Sequence, residues 1–202
     1  MSEERKTMVS PTGRLAFIKN LFVSGGDKDR FSGALIFDKS QDLKALKAGM
    51  LECAKLKFKE EDIKSKKFSW GVKAVDADDN KVDFLDGNML VMNMDRNGTF
   101  GPPEVYGSNR GPDGKLEKLI DGDLKAGDHA RAVISFFAWE YQGKKGVKVN
   151  FDGIQFIKAD EAFYTAPTSD SYFEETAFDV AVEVSETNEN ATGGDEASDF
   201  EF

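Results

Sequence analysis

Between Gly127 and Tyr141 the chain reads GDHARAVISFFAWEY. In an extended backbone Arg131, Val133, Ser135, Phe137, Trp139 and Tyr141 fall on one row, because successive side chains alternate between two faces. Flat rings two residues apart can stack on flat ligands, and an arginine in the same row can meet an anion. The QGKKG turn that follows adds Lys144 and Lys145, and FSWGVKAV upstream contributes Trp70 and Lys73. A glycine- and proline-rich stretch, 95–114, carries Arg96, Phe100, Tyr106 and Arg110. Rings and cations together are what a groove for single-stranded nucleic acid needs, since stacking tolerates any base and cations follow the phosphates. Aromatics on strands more often fill cores, and 17 phenylalanines exceed what a binding surface would use.

Other chemistries find no residue set. His129 is the only histidine, and it stands in a turn ahead of a strand. No serine lies in a G-x-S-x-G frame, and the phosphate-loop pattern fails at Gly114-Lys115, where Asn109 replaces the first glycine and Leu116 follows the lysine. One cysteine, Cys53, allows no intramolecular disulfide and no Cys/His zinc set. Its spacing places it on a helix, as a buried apolar thiol. The acidic run 76–80 lacks the sixth-position glycine and twelfth-position glutamate of a calcium loop, so it reads as a hairpin turn. The expectation is a non-enzymatic protein without cofactor or metal.

Charge divides the chain. Residues 1–158 carry 27 basic and 24 acidic side chains; residues 159–202 carry 13 acidic and no basic ones. A mildly basic body suits a polyanion, and the acidic appendage is a separate object. The start has no signal-type apolar segment and no run is long enough to span a membrane, which predicts a cytoplasmic location.

The positioning elements follow from periodicity. Residues 12–23 and 31–38 read as a strand pair around Gly25-Gly26-Asp27, with residues 1–11 a loose arm. Leu43, Leu46, Met50, Leu51 and Ala54 recur at helical spacing over 42–57, with Asp38 or Ser40 as N-cap. A lysine-dense loop, 55–67, leads to a strand over 68–75, an apolar segment over 82–94 and the loop 95–114. A long hairpin closes the body: 127–141, a turn at 142–146, then 147–158 with a bulge at Asp152-Gly153. This pattern predicts a mainly β oligonucleotide-binding (OB) fold, a five-stranded closed or partly open barrel with one helix and long loops, over 12–158. Residues 159–182 form a connector, and 183–202 cannot offset the entropy cost of ordering.

The stretch from Met92 to Lys158, with GPPEVYG, LKAGDHARAVISFFAWEY and QGKKGVKVNFDGIQFIK, resembles the Enc34-like family of phage single-stranded DNA-binding proteins. In plan the chain is also similar to the T7-type phage family, whose acidic tail ends in phenylalanine. The resemblance implies an OB fold, single-stranded DNA as partner, and roles in phage replication and recombination. It implies that the tail tip, with Asp195, Glu196, Asp199, Phe200, Glu201 and Phe202, recruits replication proteins such as a DNA polymerase or helicase-primase and competes with DNA for the groove. A homodimer, single-stranded RNA as ligand, and a phage structural β-barrel with an adaptor tail remain open.

Overall fold

The computed structural model describes residues 7–25, 29–76 and 82–164. The run 77–80, the connector beyond 164 and the whole acidic tail, Asp195 to Phe202 included, lie outside the described residues. The strands are β1 (Thr7–Val9), β2 (Gly13–Ala16), β3 (Arg30–Asp38), β4 (Val72–Ala74), β5 (Met89–Asn97), β6 (Glu104–Arg110), β7 (Leu116–Lys118), β8 (His129–Tyr141) and β9 (Lys144–Lys158). The helices are α1 (Lys44–Lys57) and the four-residue α2 (Glu60–Ile63).

Five strands make a ring. β2, β3 and β5 form an antiparallel meander, and β8 and β9 form a long hairpin. The ring closes where Gly13 and Arg14 of β2 meet Ala130 and His129 of β8, and where Met94 and Asp95 of β5 lie parallel to Val149 and Asn150 of β9. A three-strand meander closed by a hairpin, with its third and fifth strands parallel, is the OB fold. Both closures are only two pairs long, so the ring is not a clean barrel.

The free edge of β9 has three successive partners. Ser69 pairs first, its N–H donating to the Lys145 carbonyl and its carbonyl accepting from Val147 N–H. β5 follows at 149–150, and β6 runs parallel from Gly153 to Gln155. The expected bulge lies at the second handover: Val133 faces Gly153 and Ile134 faces Phe151, which leaves Asp152 between. The close approach depends on glycine. A Cβ on Gly71 would stand 2.6 Å from the Val149 side chain, and one on Gly146 would stand 2.4 Å from the Ser69 carbonyl oxygen.

Inside the ring, Leu15, Leu35, Phe37, Met92, Ile134, Val149 and Phe151 are fully enclosed, and α1 plugs the ring with Leu46, Met50 and Ala54. Gly49 lets the helix sit against Phe136, whose ring a Cβ would meet at 2.5 Å. Cys53 packs at the core's margin, and burial pushes its thiol above the ordinary range.

Several expectations are corrected. Residues 7–9 of the supposed loose arm form β1 on β8, and Ser10 serves both backbone groups of Ala132 through its own N–H and hydroxyl before Pro11, which has no N–H, breaks the ladder. The first strand is short because Phe17 turns the chain into a 3₁₀ segment, Ile18–Asn20. Helix α1 starts later than Asp38 or Ser40 would set it, with Asp42 accepting from Lys44 N–H. Asp38 instead caps its own turn by accepting from Ser40 N–H, and the Ser40 hydroxyl, followed by that N–H, holds its carboxyl below the usual range. The 68–75 strand shrinks to β4 because its first half serves β9. The 95–114 stretch is no irregular loop: it holds the end of β5, a 3₁₀ turn at Gly98–Phe100, and β6, which starts after Pro102-Pro103 and fills the β9 edge that β5 has left.

Candidate nucleic-acid interface

The alternation on β8 is as the sequence indicates. Ala130, Ala132 and Ile134 point into the core, whereas Arg131, Val133, Phe137 and Tyr141 are exposed on the outer face. On β9, burial of Val147, Val149 and Phe151 turns Lys148 and Asn150 to that same face, opposite Phe137 and Ser135. On β5 the outward positions are Asn93 and Asp95, and on β3 Ser32 and Arg30 lie beside them.

Two adjoining clefts run over this face. The larger, about 360 Å³, is lined by Phe17, Trp70, Lys73, Asp95, Trp139 and Lys148, among others. The smaller, about 170 Å³, is lined by Arg30, Arg96, Phe100, Phe137, Lys148 and Asn150, among others. Lys148 belongs to both, so the clefts meet at its side chain. Its ammonium lies 5.5 Å from the Phe137 ring centre, and Trp139 is the next outward residue along β8. Trp70 reaches the first cleft from the segment that Ser69 ties to β9, and its ring packs 4.8 Å from that of Phe68.

Trp70, Lys73, Trp139, Phe137, Phe100 and Arg96 are thus brought to one surface. Arg96 is held as a scaffold: its Nε and Nη2 donate to the Gly101 and Phe100 carbonyls at 2.9 Å each, and Nη1 pairs with Asp152. That fork shapes the 98–101 turn, which presents Phe100.

The other predicted residues lie elsewhere and line neither cleft. Arg131 donates to the Gln155 side chain at 2.9 Å, on the far side of the bulge. Tyr106 sits on the β6–β7 ladder, where its hydroxyl is bound to Glu104. That hydrogen bond raises the phenol and lowers the carboxyl, and the Lys118 ammonium stands 5.8 Å from the ring. Arg110 donates to the Gly114 carbonyl and closes its own turn. Tyr141 and Lys144 flank the Gln142-Gly143 turn, which is tighter than the expected QGKKG and has φ of 48° and 73°. Lys145 is paired with Asp62 at 2.8 Å.

Phe17, Arg30, Lys148 and Asn150 escaped the sequence reading. The alternation Val147-Val149-Phe151 could have exposed Lys148 and Asn150 as outward. Nothing in the sequence signals Phe17, whose left-handed backbone (φ 54°, ψ 44°) diverts it from the strand into the cleft. Among the described residues no group of three or more His, Cys, Asp or Glu could hold a metal ion, and no helix is long and apolar enough to cross a membrane.

A family model described as the Enterobacter phage Enc34 ssDNA-binding protein matches residues 14–183. The chain belongs to that family. Comparison with curated proteins by sequence finds no match. Among solved structures, the single-stranded DNA-binding protein from bacteriophage Enc34 superposes with a TM-score of 0.58 at 19% identity, covering 83% of this chain and 90% of that one. The same phage protein in complex with ssDNA gives 0.56 at 17% identity, over 78% and 89%. Gp2.5, a single-stranded DNA-binding protein encoded by bacteriophage T7, gives 0.56 at 12% identity, over 93% and 100%. At these identities the likeness is one of fold, and it supports the OB reading. The homologues are phage ssDNA-binding proteins.

Proposed function

We propose that this chain binds single-stranded DNA, largely without regard to sequence, along the outer face of β3, β5, β9 and β8. The observation that carries the reading is the row of Trp139, Phe137 and Trp70 interleaved with Lys148, Lys73 and Arg30 over two joined clefts. Each ring can take a base at about 1–3 kcal/mol, and every phosphate contact releases counterions from the strand. Backbone cations and stacked bases need no hydrogen-bonded base readout, so the binding is sequence-tolerant. Family membership favours DNA over RNA.

The acidic C-terminus completes the proposal. With 13 acidic and no basic side chains after Lys158, it has the charge to compete with DNA for a basic groove. Its Phe200 and Phe202 supply an apolar tip suited to replication proteins, which supports a role in phage DNA replication and recombination.

Fluorescence titration with oligo-dT, oligo-U and duplex DNA at two salt concentrations tests the binding. Quenching of Trp70 and Trp139 by oligo-dT that weakens steeply with salt is expected, with duplex much weaker. Salt-independent binding, or none, would leave a structural β-barrel as the better reading. Removal of residues 183–202 should tighten oligo-dT binding at low salt and abolish capture of the phage polymerase or helicase-primase. Unchanged DNA affinity would sink the competition.

A further inference from the structure

One carboxylate stands where the two clefts meet. Asp95 projects from β5 at the parallel contact with Asn150, and its Oδ1 is 3.0 Å from Lys148 Nζ and 3.2 Å from Arg30 Nη1. Two cations, one from each strand flanking β5, thus converge on a single oxygen. Among the described residues Asp95 is the only ion-pair partner of either cation. Each of the three side chains is about one third exposed, at 32–38%, so the cluster is open to an incoming ligand.

The arrangement differs in kind from the second ion pair of this surface. Arg96 has three acceptors, two of them backbone carbonyls, and stays fixed whatever happens to Asp152. Among the described residues Arg30 and Lys148 have no such backbone ties, and they could swing to another anion without loosening any described turn. A phosphodiester has the same unit charge as a carboxylate and presents paired oxygens to the same donors. The seat is also well placed, because Lys148 lies over the Phe137 ring and Trp139 is the next platform along β8. A strand stacked on both rings would bring a backbone phosphate past this point.

We propose that Asp95 is a built-in placeholder for a phosphate: it holds Arg30 and Lys148 together in the free protein and surrenders them to one backbone phosphate when the strand enters. This deepens the binding reading above and rests on it. The carboxylate keeps the empty groove from presenting two bare cations to any polyanion. It also lowers the affinity for the strand, since its charge stays beside the phosphate that replaces it. Asp95 is therefore an affinity-setting residue and not a contact.

The test is oligo-dT titration of the full chain with Asp95→Asn, Lys148→Met and the double substitution. Asparagine keeps the shape of Asp95, and methionine keeps an apolar stem over Phe137, so thermal melts should confirm folded variants. D95N is expected to tighten binding about two- to tenfold, the scale of two part-exposed ion pairs released together. In the K148M background that gain should shrink to half or less, because the cycle removes one of the two cations through which Asp95 acts. Weaker binding by D95N would make Asp95 a positioning residue and overturn the proposal. An equal gain in both backgrounds would reduce it to a general charge effect and overturn it too. A wild-type chain with no salt-dependent binding would instead defeat the DNA-binding reading, and this inference with it.

Discussion

Lys145 Nζ lies 2.8 Å from Asp62 Oδ1, which joins the β8–β9 hairpin to α2 across the mouth of the ring. The same residue's carbonyl accepts from Ser69 N–H, one step from Trp70. The Asp62 hydrogen bond raises the Lys145 ammonium above its ordinary value. A raised lysine favours the folded state at all pH values below its unfolded pKa, and that contribution disappears as pH climbs through the folded one. Asp62→Asn should therefore lower Tm at pH 7, and the gap from wild type should close above about pH 10.4, the usual lysine value. Melting curves across pH 7–11 check this, and a gap that persists at high pH would show that the pairing is not its source.

Lys148 and Lys145 are three residues apart and should behave differently toward DNA. Lys148 lines both clefts, whereas Lys145 lines neither. Lys148→Met should weaken oligo-dT binding and flatten the log–log salt slope by about 0.7, the increment for one phosphate on a single strand. Lys145→Met should leave that slope unchanged. Equal slopes for the two variants would mean that the outer face of β9 is not where the strand runs.

The contrast shows what the chain made legible. The period-two alternation of β8 is strong enough to separate Ala130, Ala132 and Ile134 from Phe137 and Tyr141 by inspection, and the helix and the Asp152 bulge are equally plain. The three-way sharing of the β9 edge is not, because it is set by contacts between residues far apart in sequence, such as Ser69 with Gly146 and Glu104 with Gly153. The prolines at 102 and 103 made 95–114 look like loop, yet they only delay β6 until β9 offers it an edge. The site was half visible for the same reason. A candidate's residue type can be read locally, but whether Lys145 faces a phosphate or Asp62 depends on which element folds beside it.

Phe17 lines the larger cleft with φ 54° and contacts Phe84, ring centres 5.7 Å apart. A bulky residue in the left-handed region is strained by about 1 kcal/mol or more, and glycine is not. Phe17→Gly relieves that strain while losing the half-exposed ring's packing on Phe84, so Tm should change little. Oligo-dT affinity should fall about tenfold, within the range for one stacked base. A large drop in Tm with unchanged affinity would assign the ring to stability and remove it from the interface.

The segment after β9 is anchored by Asp160. Its Oδ2 is 2.7 Å from His129 Nε2 and 3.7 Å from Arg14 Nε, and its Oδ1 accepts from Glu161 N–H. Three residues on, Phe163 stacks on Phe84 at 4.5 Å beneath the Arg14 guanidinium, and its N–H donates to the Ala126 carbonyl. The Glu161 N–H, followed by His129, holds the Asp160 carboxyl below the usual range. A depressed carboxyl favours the folded state above its unfolded pKa, about 3.9, and that contribution drains away as pH falls through the folded value. Asp160→Ala should accordingly lower Tm at pH 7 and speed hydrogen exchange at Phe163 N–H. Both differences should vanish once acid has protonated Asp160 in the wild type. Protection at Phe163 that is the same in the two proteins at pH 7 would show that the Phe84 stack holds this segment without the carboxylate.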